Sequence, residues 1–248
     1  MPARSDTSTP FEEYYANNGV VNIPGINVLP GVPDPNFPNA LPHIGFIESS
    51  FQNQGSQITR GIDFGINSRM NITDGIRWIS SGDASYLMKY QLTDGDGNKL
   101  RYDGTLSPCN ITSCSGAPKW RFSWQNSFEF GNTTLTGTLY YTSGYGNESI
   151  DFGAERGSCE SGQDNGSVVS YPDGSPVRCK AKPTWNFDFT ANQKINDKLS
   201  IYMNVLNLFD IDAPFDPSGA YSLFQFNPAW AGPNIMGRYF RVGAKVDF

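Results

Sequence analysis

The amino-acid sequence predicts an all-β fold: an antiparallel transmembrane β-barrel segment of about seven strands, an incomplete part of a larger barrel. Three observations carry this. The closing stretch alternates from Phe240 onward, with Phe240, Val242, Ala244, Val246 and Phe248 on one face and Tyr239, Arg241, Gly243, Lys245 and Asp247 on the other. Successive side chains of a strand point to opposite faces, so this is one apolar wall backed by one charged wall. Connections between such stretches alternate short and long along the chain. The composition is 38% hydrophobic but only 17% charged, with 26 Gly, 17 Pro and 14% aromatics, which favours many short strands over helices.

Several classes are excluded at once. No run of eighteen apolar residues exists, so a membrane reading has to be a barrel reading. A net charge of -6 without a basic patch argues against nucleic acid as a partner. The one histidine, His43, has no neighbouring Ser or Cys nucleophile with an orienting group, and no enzymatic chemistry is expected. The start, MPARSDTSTP, carries neither an apolar core nor a cleavage site for export, so Met1 is not the expected natural start of an exported chain.

The four cysteines fall as Cys109 with Cys114 and Cys159 with Cys179, inside Gly/Ser/Asp/Pro-rich stretches without zinc-ligand spacing. Local disulfides within each pair are expected, which implies an oxidising compartment; the crossed pairings stay open.

In order along the chain, residues 1 to 43 are dense in Pro, Asn and Gly and read as an irregular extracellular loop segment with one short helix around Pro10 to Asn18. From Ile44 to Met70 the texture is that of one long strand with a bulge at Gly55, ending at a turn over Asn71 to Asp74. Gly75 to Leu92 follows with Ile76, Trp78, Ala84, Tyr86, Met88 and Tyr90 on one face. In the next connection, Asp94-Gly-Asp96-Gly-Asn98 resembles the start of a calcium loop, but Lys99 and Thr105 stand where Gly and a bidentate Glu are required, and an acidic turn is the plainer reading.

Lys119 to Phe130 places Trp120, Phe122, Trp124, Phe128 and Phe130 on a face too aromatic to be left in water. Gly131-Asn132 turns the chain into Thr133 to Tyr145. Pro183 to Ile195, a turn at Asn196-Asp197, and Lys198 to Phe209 make the next pair, and the closing strand completes the set.

The alternation of short and long connections is the layout of an outer-membrane barrel, with periplasmic turns on one side and extracellular loops on the other. Alternation in the closing strand alone also fits a soluble sandwich; the terminal aromatic Phe248 fits a girdle at a membrane interface. The stretch Asn53-Gln54-Gly55-Ser56-Gln57-Ile58-Thr59-Arg60-Gly61-Ile62-Asp63 is similar to a strand of TonB-dependent outer-membrane receptors. Asn204-Val205-Leu206-Asn207-Leu208-Phe209-Asp210 resembles their penultimate strand, and the tail ending in Phe248 resembles their C-terminal strand.

The resemblance covers most of residues 44 to 248, read as C-terminal strands of the receptor barrel. It implies a barrel of about 22 strands with a plugged lumen, located in the bacterial outer membrane and engaged in energised uptake of a scarce nutrient such as a siderophore, cobalamin or an oligosaccharide. No signal peptide, plug domain or TonB box is present, so a fragment is expected, coupled to TonB only through the missing part. Implied partners are outer-membrane lipid, the missing plug and strands, a small-molecule substrate, and the barrel assembly machinery acting on the closing strand at Phe240, Val242, Val246 and Phe248. The loop aromatics Tyr145, Tyr171, Tyr221, Phe224 and Trp230 are candidate ligand contacts, with interfacial packing as the competing role. No cofactor or metal is expected. Two other readings stay open: a piece of a non-energised porin-type barrel, and a secreted disulfide-bonded β binding domain.

Overall fold

The computed structural model describes residues 8–49, 55–94, 97–106, 117–150, 154–161, 170–216, 225–227 and 232–247. The chain divides into two compact units, Met1–Ser56 with Thr93–Lys99, and Gln57–Leu92 with Leu100–Phe248.

In the first unit, helix α1 (Ser8–Ala16) precedes an antiparallel hairpin of β1 (Ile26–Pro30) and β2 (Ile44–Ser49). Tyr14 is buried and donates its hydroxyl to the Pro42 carbonyl at 2.9 Å. The hairpin corrects one expectation: residues 1 to 43 contain a strand. Of the stretch expected as one strand, Ile44–Ser49 pairs with β1 and the residues from Ser56 onward join the large sheet, while residues 50–54 lie outside the described ones. β1 lies in a proline-dense stretch that reads as irregular chain. Pro30 sits at the register shift that ends the pairing, a position where a missing N–H costs little. At the end of the calcium-like stretch, both carboxylate oxygens of Asp94 accept from Asn98, its backbone N at 2.8 Å and its Nδ2 at 2.9 Å, which closes the turn on itself.

In the second unit the strands are β3 (Ser56–Thr73), β4 (Ile76–Thr93), β5 (Lys99–Arg101), β6 (Thr105–Leu106), β7 (Trp120–Phe130), β8 (Thr133–Thr142), β9 (Tyr145–Ser149), β10 (Lys180–Ala181), β11 (Thr184–Lys194), β12 (Leu199–Leu206) and β13 (Tyr239–Val246). One large sheet runs β3-β4-β7-β8-β11-β12-β13, with β5 paired to β4. The first turn is tighter than expected: β3 continues to Thr73, and Asp74-Gly75 alone reverses the chain, with Gly75 at φ 89. Gly75, lacking a Cβ, takes the positive φ of the second turn position without steric cost.

Register keeps the two walls apart. Trp78, Phe128, Leu135, Ala191, Met203 and Val242 lie in one cross-strand row from β4 to β13. The neighbouring row, on the opposite face, reads Arg77, Glu129, Thr134, Asn192, Tyr202, Gly243. Arg77 and Glu129 form an ion pair there, and Ser127 and Thr136 share a hydrogen bond of 2.8 Å. On the apolar face, Phe240 is 60% and Val242 70% exposed. A face this apolar and this open suits acyl chains and not water.

Aromatic residues collect near both ends of that wall. Where the strands run into long connections, Tyr86 stacks on Trp120 at 4.4 Å, and Tyr141 lies 4.9 Å from Phe122 and 4.3 Å from Trp185 between ring centres. Trp78, Phe128 and Phe130 lie near the short turns. From Trp120 to Phe130 the strand rises roughly 34 Å, about 26 Å of height at a barrel tilt near 40°, the thickness of an outer-membrane apolar band.

Two glycines make room for rings. A Cβ on Gly137 would fall 2.7 Å from Phe187 Cζ, so the Phe187 ring lies across β8 on the apolar side. On the polar side the Tyr202 ring covers Gly243, and the Arg241 guanidinium stands 5.7 Å from the centre of that ring. Aromatic cover of a strand glycine restores the packing that the missing side chain would lose.

Candidate functional site

The long connections of the second unit are tied into one layer. β9 pairs with β10 and, in parallel, with β6, giving a small sheet built from two of them. The backbone N of Gly146 donates to the Gly104 carbonyl at 2.8 Å, and that of Asn147 to the Cys179 carbonyl at 2.9 Å. Cys179 is disulfide-bonded to Cys159 in the short helix α2 (Ser158–Ser161), as expected for the second cysteine pair. Cys109 and Cys114 lie outside the described residues.

Asp103 is the electrostatic hub of this layer. It lies past the Tyr86–Trp120 row, beyond the membrane-facing wall, and is fully buried. Arg101 Nε donates to its Oδ1 at 2.8 Å, Lys119 Nζ stands 3.5 Å from Oδ2, and Arg156 Nη1 3.4 Å from Oδ2. Arg156 also donates to the Asp103 carbonyl, and the Tyr90 backbone N–H reaches Oδ1 at 3.3 Å. Burial alone would push the Asp103 carboxyl up; the Arg101 hydrogen bond, the Tyr90 N–H and the Arg156 and Arg101 charges outweigh it and hold the group below the usual carboxylate range. The same bond raises Arg101. No sequence signal singled out Asp103 or Arg156, because single charges in polar loops are ordinary.

The third long connection is tied in by Asp216, also fully buried, which accepts a hydrogen bond from the Tyr145 hydroxyl. Arg178 reaches the neighbouring Phe215, donating to its carbonyl at 3.2 Å with the guanidinium 5.3 Å from the ring centre. Of the expected ligand contacts, Tyr145 is only 7% exposed, its ring packed inside the layer and its hydroxyl engaged. Tyr171 is exposed, on a turn whose N–H bonds the Ser175 carbonyl. Tyr221, Phe224 and Trp230 lie outside the described residues. On the closing strand, Phe240, Val242 and Val246 share the apolar face, and Phe248 lies outside the described residues. Among the described residues no group of three or more His, Cys, Asp or Glu is placed to hold a metal ion.

The third connection starts from a built turn. Asn207 is fully buried at φ 51, a conformation Asn tolerates better than most residues. Its Oδ1 accepts from the Ile211 N at 3.0 Å, its Nδ2 donates to the Ile211 carbonyl at 2.9 Å, and its own N–H reaches Asp188 Oδ1 at 2.9 Å. Asp210 Oδ1 takes the Arg238 N–H at 2.7 Å, joining the turn to the segment that enters β13. Asn234 Nδ2 bonds the carbonyls of Trp185 and Ile211 at 3.0 and 2.8 Å.

An antiparallel sheet with one open apolar wall between aromatic ends, one polar wall, short turns at one end and tied long loops at the other defines an outer-membrane-type β-barrel wall. The family model described as TonB dependent receptor-like, beta-barrel matches residues 15–208. The chain belongs to that family of bacterial outer-membrane transporters. No curated protein and no solved structure matches it.

Proposed function

We propose that the chain forms part of the wall and outward loop surface of a TonB-dependent transporter in the bacterial outer membrane, serving energised uptake of a scarce nutrient: a siderophore, cobalamin or an oligosaccharide. The observation that supports this most is the gathering of all three long connections into one bonded layer at a single end of the sheet, held by Asp103 and Asp216. A tied layer presents fixed side chains to an arriving molecule, as a binding surface requires. The apolar wall meets outer-membrane lipid, and the closing strand around Phe240, Val242 and Val246 is what the barrel assembly machinery engages.

The experiment is deletion of the gene in its source bacterium, followed by growth on limiting iron chelate, cobalamin or oligosaccharide, and by fractionation of the protein. Recovery in the outer membrane is expected, with loss of uptake of one nutrient class that is equally lost when the proton gradient is collapsed. A protein recovered soluble and monomeric without detergent overturns the membrane assignment, and uptake indifferent to the proton gradient overturns the energised one.

A further inference from the structure

Among the described residues, the ion pairs follow one rule with one exception. Arg77 with Glu129, Lys180 with Glu160, Lys194 with Asp197 and Lys245 with Asp247 are each one cation against one acid. At Asp103 alone, among the described residues, Arg101, Lys119 and Arg156 converge on a single carboxylate, all within 3.5 Å. Among these four side chains three positive charges face one negative, and with the buried Glu148 of neighbouring β9 also counted against them one positive charge is left over, in a chain whose net charge is -6.

The arrangement is that of a floor and a rim. The Asp103 carboxylate is wholly buried, while the three cationic side chains stay 38–43% exposed. A buried anion holds the cations together against their mutual repulsion, and their outer sides remain open to solvent. Arg101 commits Nε to Asp103, and its terminal nitrogens make no hydrogen bond among the described residues. The Lys119 stem lies across Gly104, where an added Cβ would come within 3.2 Å of it. Glu155, beside Arg156, is exposed, and the three cations each pair with Asp103.

We propose that Arg101, Lys119 and Arg156, seeded by Asp103, form an oxyanion-binding site on the loop layer, taking a carboxylate, sulfate or phosphate group carried by a soluble small-molecule ligand. An oxyanion neutralises the excess charge and meets fork-shaped guanidinium donors that match its geometry. This rests on the loop layer being the outward, ligand-meeting surface of the transporter, and it narrows the nutrient to one bearing an anionic group.

The test is calorimetric titration of the full chain, refolded in a non-ionic detergent, with sodium sulfate and with sodium citrate at fixed ionic strength. Saturable binding at one site is expected, weakening as sodium chloride is raised. Lys119→Gln should weaken it by roughly fivefold or more, Arg101→Lys should weaken it as well because an ammonium lacks the guanidinium fork, and Lys194→Gln should leave it unchanged. Should Lys119→Gln fail to refold, protection of Lys119 from acetylation by sulfate in the unaltered chain, with Lys194 as the unprotected control, gives the same reading. Absence of saturable binding, or equal binding by Lys119→Gln, overturns the site. A chain that inserts into lipid vesicles yet binds neither anion loses this assignment only; a chain that does not insert loses the transporter reading itself.

Discussion

Trp78 donates its indole N–H to the side-chain oxygen of Asn126 at 3.1 Å, one strand away on the otherwise apolar wall. Trp124 does the same for Ser80 Oγ at 2.9 Å. Asn126 and Ser80 are directly opposite each other in the register, near the middle of β7, so two indoles cover the polar atoms that would otherwise face acyl chains. An amide left unpaired in hydrocarbon costs about 1 to 3 kcal/mol. Trp78→Phe should therefore destabilise the folded sheet in lipid by that amount, while the double variant Trp78→Phe with Asn126→Leu should recover most of it. Urea titration in vesicles measures both, and an additive double variant would mean the bond is incidental.

Asp103 makes the loop layer acid-sensitive. Its folded pKa is depressed. Its charge therefore contributes stability in full above the unfolded carboxylate pKa of about 3.9, and the contribution is lost as pH falls below that through the folded value. Limited proteolysis of the loops should accelerate across this window while the strands stay protected. Asp103→Asn should be more labile at neutral pH by roughly 1 to 3 kcal/mol, less than for a fully buried pair because the cations are exposed. That variant should also have lost most of the acid response of the parent.

The walls were legible because strand period is a local property. The alternation in Trp120 to Phe130, or in Tyr239 to Val246, needs no partner to be seen, and register then carries it across the sheet. The loop layer was not legible, because it depends on approach between distant residues: Arg156 and Asp103 are 53 positions apart, and Tyr145 and Asp216 are 71 apart. Tyr145 illustrates the difference. A tyrosine where a strand runs into a long loop suggests a free aromatic face, and only the position of Asp216 turns it inward. The β1 hairpin was missed for a third reason, since proline density signals irregular chain even where Pro30 merely ends a strand pairing.

Asn207 should be hard to replace, for two separable reasons. Its side chain closes the turn through both polar groups of Ile211, and its backbone sits at φ 51. Asn207→Gly keeps the backbone permissive and loses only the hydrogen bonds, a cost of roughly 1 to 3 kcal/mol. Asn207→Ala loses the same bonds and in addition pays about 1 kcal/mol for a left-handed alanine. Denaturant midpoints should thus rank the parent above Gly above Ala. A reversal of the two variants would place the importance of Asn207 elsewhere than in its backbone.

Val242 tests which wall meets the membrane. It is 70% exposed, opposite Met203 on the apolar face, whereas Lys245 lies on the polar face opposite Ser200. A cation introduced on a lipid face costs about 2 to 4 kcal/mol near the bilayer midplane and little near an interface. Val242→Arg should therefore lower folding stability in vesicles by an amount within that range, and Lys245→Arg should be nearly silent because a charge already resides there. Moving the same samples into a thinner bilayer should shrink the Val242→Arg penalty, as the interface comes closer to β13. If Lys245→Arg were the damaging change, the charged wall of the closing strand would be the one facing lipid, and the assignment of both walls across all the strands in register with it would have to be exchanged.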